Sequence, residues 1–177
     1  VWEERHTPGN FTYSAHHAFF AGFLPTPVNS GKHTRLFAVS FPGSETISEE
    51  TCVFEHPDII KGFAARGYHT ACIGGVGFFN KKSPLGSVFP DMFAESHWSE
   101  DCGVRGANST QRQVDKALGV MAKLRDEQRL FLFINVSATH QPTCIFSPGT
   151  VEDSNETQMA ALAYVDGQLG PLFKVMR

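Results

Sequence analysis

Apolar positions along the chain fall in blocks whose period alternates between helical and extended. The run Thr12-Tyr13-Ser14-Ala15-His16-His17-Ala18-Phe19-Phe20-Ala21-Gly22-Phe23 predicts a short helix that opens on hydroxyl residues. It would bury Ala18, Phe19, Phe20 and Phe23 and leave through Gly22 and Pro25. Residues 26–34 carry Pro27, Asn29, Ser30 and Gly31 and predict a loop. Leu36 to Phe41 is a short apolar run that predicts a buried strand, stopped by Pro42-Gly43-Ser44. From Pro57 the spacing turns helical, with Ile59, Ile60, Phe63 and Ala64 recurring at three and four residues. Pro57 suits the first turn of that helix and Gly67 its C-cap. Tyr68 to Ile73 follows as a strand, ended by Gly74-Gly75-Val76-Gly77.

Residues 80–107 lack a sustained period and predict a long loop with one turn of helix, of the length that tends to be functional. Asn108, Ser109 and Thr110 offer N-caps to a helix with Val114, Ala117, Leu118, Met121 and Leu124 on one face. Leu130 to Val136 is the most hydrophobic strand pattern, of the kind buried on both faces. Ser137 to Gly149 predicts a loop. Thr157 to Met176 predicts a last helix with Met159, Leu162, Ala163, Asp166, Leu169 and Phe173 tracking one side, kinked or broken at Pro171. Strands alternating with helices specify an α/β domain, a mostly parallel sheet flanked by helices on both faces. Ligands of such sheets gather at the carboxyl ends of the strands. Gly74 to Gly77 and His140 follow strands directly, and Thr12 joins them if its helix starts at that edge.

Composition narrows the class. A chain of 177 residues with 41% hydrophobic and 19% charged residues fits one globular domain. Sixteen phenylalanines against three tyrosines and two tryptophans point to aromatic packing more than to an aromatic binding surface. A net charge of −3 gives no support to nucleic-acid binding, and no apolar run reaches the ~18 residues of a membrane span. Cys52, Cys72, Cys102 and Cys144 form no Cys-x-x-Cys pair, so free thiols and a reducing, cytoplasmic compartment are expected. Asn10, Asn108, Asn135 and Asn155 begin glycosylation sequons, but Asn135 lies inside an apolar strand pattern.

The candidate chemistry starts at Thr12. A helix N-terminus favours anions, and His16, four residues on, projects back toward the face of Thr12. A hydroxyl nucleophile beside a bound oxyanion suits that geometry; an ordinary capped helix burying phenylalanines explains the same residues. His140, after a buried strand, suits either a substrate contact or a loop hydrogen bond. His69 alternates along a strand and reads as core, and His17 as a packed or surface residue. His97 lies near Glu95, Glu100, Asp101 and Cys102, with no standard zinc spacing.

Several segments resemble the sulfatase and alkaline-phosphatase superfamily. Phe20-Ala21-Gly22-Phe23-Leu24-Pro25 is similar to its Leu-Thr-Gly-x-x-Pro segment, and the family's nucleophile stands ten residues before that glycine, here at Thr12. Thr12-Tyr13-Ser14-Ala15-His16 departs from the sulfatase Cys-x-Pro-Ser-Arg motif. It is similar instead to Thr-Phe-Pro-Asn-His of the phosphodiesterase branch. Gly67-Tyr68-His69-Thr70, Phe131 to Pro142 and Tyr164 to Gly170 resemble three further family segments in the same order. Sulfatases carry a substrate-binding lysine and histidine where this chain has Gly75 and Gly77. The resemblance implies an incomplete alkaline-phosphatase-like fold, the middle portion of a larger catalytic domain spanning residues 1–177. It implies a metal-dependent hydrolase of phosphate or related esters, with Thr12 as nucleophile and metal ligand. His16 and His140 would contact substrate, and the cofactor would be two zinc ions, with manganese or calcium as alternatives. The family's Asp and Asp-His ligands find no counterpart, so the chain by itself is not expected to turn over substrate. A catalytically inactive binding module and a calcium-dependent sulfuric ester hydrolase are the alternatives. The oligomeric state is open.

Overall fold

The computed structural model describes residues 7, 12–22, 35–37, 51–53 and 58–176. In chain order the elements are helix α1 (Thr12–Ala21), strands β1 (Arg35–Phe37) and β2 (Thr51–Val53), helix α2 (Ile59–Ala65) and strand β3 (His69–Ile73). Helix α3 (Pro84–Ser87), strand β4 (Glu95–His97), helix α4 (Ser109–Met121), strand β5 (Leu130–Ile134) and helix α5 (Asn155–Val175) follow, with 3-10 turns between them. Strands β3, β4 and β5 form an all-parallel sheet in the order β4-β3-β5, and β1 and β2 pair in a separate parallel ladder. The expected α/β class with a parallel sheet is therefore present, in a sheet of three strands.

Alternation along the strands sends side chains to two cores. Cys72, Phe131 and Phe133 face a cluster with Tyr13, Phe20, Ile60, Val76, Phe79, Phe89 and Phe93. Ala71, Ile73, Leu130, Leu132 and Ile134 face the opposite cluster with Val114, Ala117, Val120 and Leu172. Helices α1 and α2 thus cover one face, and α4 and α5 the other. Burying both faces is what a parallel sheet requires. Strand β3 carries most of it, being fully buried from Thr70 to Ile73. Strand β5, read from its hydrophobicity as the most buried, is half-buried throughout and stands at an end of the sheet.

The turn chemistry explains the helix ends. Asp58 caps α2 by accepting the Lys61 N–H at 2.8 Å, and Gly67 sits at φ +81 just past its end. The Tyr68 N–H donates to the Phe63 carbonyl and the Gly67 N–H to that of Ala64. This is a Schellman motif, and the Phe63 and Tyr68 rings, 5.0 Å apart, supply its apolar contact. Pro57 lies outside the described residues, as do Phe23 and the 26–34 and 38–41 segments. Asn108 precedes α4 without a side-chain cap, while Ser109 and Thr110 lie inside the helix, fully buried. Helix α5 starts on a Ser154/Thr157 capping box and runs through Pro171 without ending. The carbonyl that Pro171 leaves without its helical donor belongs to Gly167, which is exposed and reaches water. Its buried stripe is Thr157, Ala161 and Leu172, and Met159, Leu162 and Phe173 face outward. The expected inner face of this helix is thus largely its outer one.

The expected loop at 80–107 contains α3 and the edge strand β4. Glu95 of β4 joins that edge to β3, one carboxylate oxygen 2.6 Å from the His69 ring nitrogen and the other 3.0 Å from that of His97. His69 is half-buried on the sheet, not core. Among the described residues no helix is long and apolar enough to cross a membrane, and Cys72, Cys102 and Cys144 are free thiols.

Candidate active site at the carboxyl edge

Two loops leave the carboxyl ends of β3 and β5, and a buried polar network joins them. Gln113 of α4 donates through Nε2 to the carbonyls of Gly74 (2.9 Å) and Asn135 (2.7 Å). Its Oε1 lies 3.4 Å from the Ser137 N–H. Asn135 accepts the Val76 N–H at 2.8 Å, and the Ser137 hydroxyl donates to the Cys102 carbonyl at 2.7 Å. The Trp98 indole N–H donates to the Gly75 carbonyl at 3.0 Å. Buried backbone groups at the strand ends have lost the ladder, and these side chains replace it. Asn135 is itself buried, so its sequon is no glycan acceptor in this fold.

Helix α1 brings Thr12 toward this edge. The Tyr13 ring lies 5.6 Å from Phe78 and the His16 ring 5.1 Å from Phe79, both in the segment after β3. Farther along, Phe20 packs 5.8 Å from Phe93, which precedes β4. The N-terminus of the helix, its positive dipole end, therefore lies beside the segment after β3, while Phe20 near its other end packs on both Phe93 and Phe133. Thr12 is half-buried, at the first helical position.

His16 returns to Thr12, as the spacing predicts. Its Nδ1 lies 2.6 Å from the Thr12 carbonyl oxygen. A carbonyl has no proton to give, so Nδ1–H is the donor, and the neutral ring keeps its acceptor lone pair on Nε2. Phe79, Phe89 and Phe133 surround the ring at 5.1 to 6.1 Å. That burial lowers the His16 pKa, opposed by the bond to Thr12. His17 is more deeply buried, beside Tyr13 and Phe89, and desolvation drives its pKa down to about 4.

The sign of the resulting pH dependence is fixed. Unfolded, His17 titrates near its ordinary value of about 6.5, so between there and about 4 the released helix binds a proton that the docked helix does not. The docking free energy is intact above that window and falls with pH inside it, at up to about 1.4 kcal/mol per unit. Amide exchange of α1, corrected for intrinsic rate and compared with α4, should accelerate as pH drops from 6.5 to 4. Substituting His17→Phe should reduce the slope to the part that His16 contributes; a slope unchanged by that variant would contradict it.

His140 stands apart in its contacts. It is exposed, its N–H bonded to the Ser137 carbonyl at 2.9 Å and its Nδ1–H to the Gln141 carbonyl at 2.7 Å. Among the described residues no hydrogen bond joins it to Thr12 or His16. Gly75 and Gly77 differ in the room they leave. A Cβ at Gly75 would meet the Asn135 carbonyl oxygen at 2.0 Å, while at Gly77 it would meet nothing within 4 Å. Gln113 and Trp98, which shape this edge, escaped the sequence reading. The one signal was a glutamine beside Val114 on the buried face of α4. Around His97, Glu95 lies within hydrogen-bond distance, but no three His, Cys, Asp or Glu side chains among the described residues could hold a metal ion.

Comparison with protein-family models, curated proteins and solved structures gave no match to this chain.

Proposed function

We propose that this chain belongs to a hydrolase of phosphate or related esters, in which the Thr12 hydroxyl is the attacking group. The observation that carries this reading is the docking of the first turn of α1 against the segment after β3, 5.6 Å from Tyr13 to Phe78. It supports a hydroxyl at the carboxyl edge of a parallel sheet, where the helix dipole favours an anionic ester. His16, with Nδ1–H held by the Thr12 carbonyl, offers Nε2 as the acceptor for a protonated oxygen of the substrate. His140, exposed on the loop after β5, is a second substrate contact in this reading.

The described residues do not by themselves fit the two-zinc centre that the resemblance implies. Thr12 is the one ligand assigned, and among those residues no group of three His, Cys, Asp or Glu could hold a metal ion. The same observation favours a second reading, a non-catalytic binding module that keeps the α/β frame. Phosphodiester turnover by the protein that carries this chain separates them. The enzyme reading expects Thr12→Ala to abolish turnover with the fold and metal content retained; the module reading expects none to lose.

A further inference from the structure

At the amino edge of the sheet, away from Thr12, the starts of β3 and β5 meet the end of α2. The His69 N–H donates to the Arg129 carbonyl at 2.8 Å. A groove of about 430 Å³ opens there, lined by Ile59, Gly62, Phe63, Arg66, Tyr68 and Arg129. Its aromatic wall is fixed: Phe63 stacks on Phe131 at 4.6 Å and meets Tyr68 at 5.0 Å. Arg129 lies over the Tyr68 ring, 5.6 Å from its centroid, which aims a planar guanidinium along the groove. Ile59 is 43% exposed and adds apolar surface with no cover among the described residues.

The charges on the rim are unbalanced. Lys61, Lys82 and Arg112 each lie against a carboxylate. Among the described residues Arg66 and Arg129 do not, and neither do Lys81, Arg105, Lys116, Lys123, Arg125 and Lys174, so what marks the two arginines is their shared place on the groove. Two guanidiniums without a carboxylate partner, Arg129 over the Tyr68 ring and Arg66 on the same lining, match an oxyanion carried on a flat apolar group. The negative end of α2 opposes an anion here. That opposition is weak, because α2 is only seven residues long and the Schellman bonds already occupy its terminal carbonyls.

We propose that this groove binds a small aromatic anion: one planar ring bearing a carboxylate or phosphate group. The ring lies on Phe63, Tyr68 and Ile59, and the oxyanion meets Arg66 and Arg129. The volume suits one ring with its substituent, at the small end of ligand pockets. The site is separate from the Thr12 chemistry and does not rest on it.

Amide NMR titration of the protein that carries this chain tests the proposal, read at Gly62, Tyr68 and Arg129. Phenylphosphonate and benzoate are the two aromatic probes, and inorganic phosphate and benzyl alcohol are the anion and the ring alone. Saturable shifts at the three amides with either aromatic anion support the site, the stronger probe naming the preferred oxyanion. Arg66→Ala and Arg129→Ala, both at exposed positions, should each weaken binding about tenfold. Arg129→Lys should recover part of the loss, and Thr12→Ala should leave binding unchanged. Absence of shifts up to about 10 mM probe, or affinity in both arginine variants equal to that of the parent protein, would overturn it. So would inorganic phosphate binding as tightly as phenylphosphonate, which would mean an adventitious ion only.

Discussion

Gly75→Ala should unseat the carboxyl edge of the sheet and cost about 3 kcal/mol or more of stability. The added Cβ would meet the Asn135 carbonyl oxygen at 2.0 Å, Gln113 Nε2 at 2.9 Å and the Ser137 Cβ at 3.0 Å. None of these neighbours is the loose end of a surface side chain. The Asn135 backbone is tied by its N–H to the Ile73 carbonyl at 2.9 Å, and Gln113 is fully buried and committed to two carbonyls. Relief therefore means breaking the network that joins the two loops, and each buried donor or acceptor so released goes unsatisfied. Gly77→Ala, two residues on in open space, is the control and should change stability by less than about 0.5 kcal/mol. Denaturant unfolding of the two variants reads the difference, and equal midpoints would show that the close approach at Gly75 is not real. The same contact leaves no room for a side chain at position 75.

The second large effect is expected at Phe89. Its side chain is fully buried, with Tyr13 at 4.9 Å, Phe79 at 5.2 Å and Phe20 at 5.5 Å between ring centroids. Truncation leaves a cavity among rigid rings that cannot collapse into it, so Phe89→Ala should cost about 3–5 kcal/mol. The loss should appear first in α1, because Phe89 touches Tyr13, His16, His17 and Phe20 of that helix. Amide protection of α1 should fall before that of α4, which packs on the opposite face of the sheet. Phe19→Ala, at a ring 50% exposed, should cost less than about 1 kcal/mol. A Phe89→Ala variant with undiminished α1 protection would show that this helix is held by something other than the aromatic cluster.

What the sequence revealed follows from where burial sets the pattern. Strand β3 and α4 are legible because their apolar spacing meets a core on the sheet, while of the apolar positions read for α2 only Ile60 is buried and Ile59 and Ala64 are exposed. Gly67 is legible because a Schellman turn needs a left-handed residue. Strand β4 is not, since Glu-Ser-His has no apolar period. Its pairing is set by β3, and Glu95 joins His69 and His97 in place of a hydrophobic face. Helix α5 misleads for the opposite reason: its largest apolar residues point outward, while Thr157 and Ala161 fill the narrow space beside the domain. Small residues carry little weight in a periodicity argument, yet close packing selects them. At the candidate site, the return of His16 to Thr12 was readable from i, i+4 geometry. The Gln113 and Trp98 contacts were not, because they join residues more than twenty positions apart.

The hydroxyl at position 12 is the centre of the proposed chemistry. Its most direct test is the turnover of bis(4-nitrophenyl) phosphate by the protein that carries this chain, measured with Thr12, Thr12→Ser and Thr12→Ala. Thr12→Ala should lose about a hundredfold or more in rate while α1 keeps its amide protection, and Thr12→Ser should retain measurable turnover. Turnover by Thr12→Ala equal to that of the parent protein would contradict it.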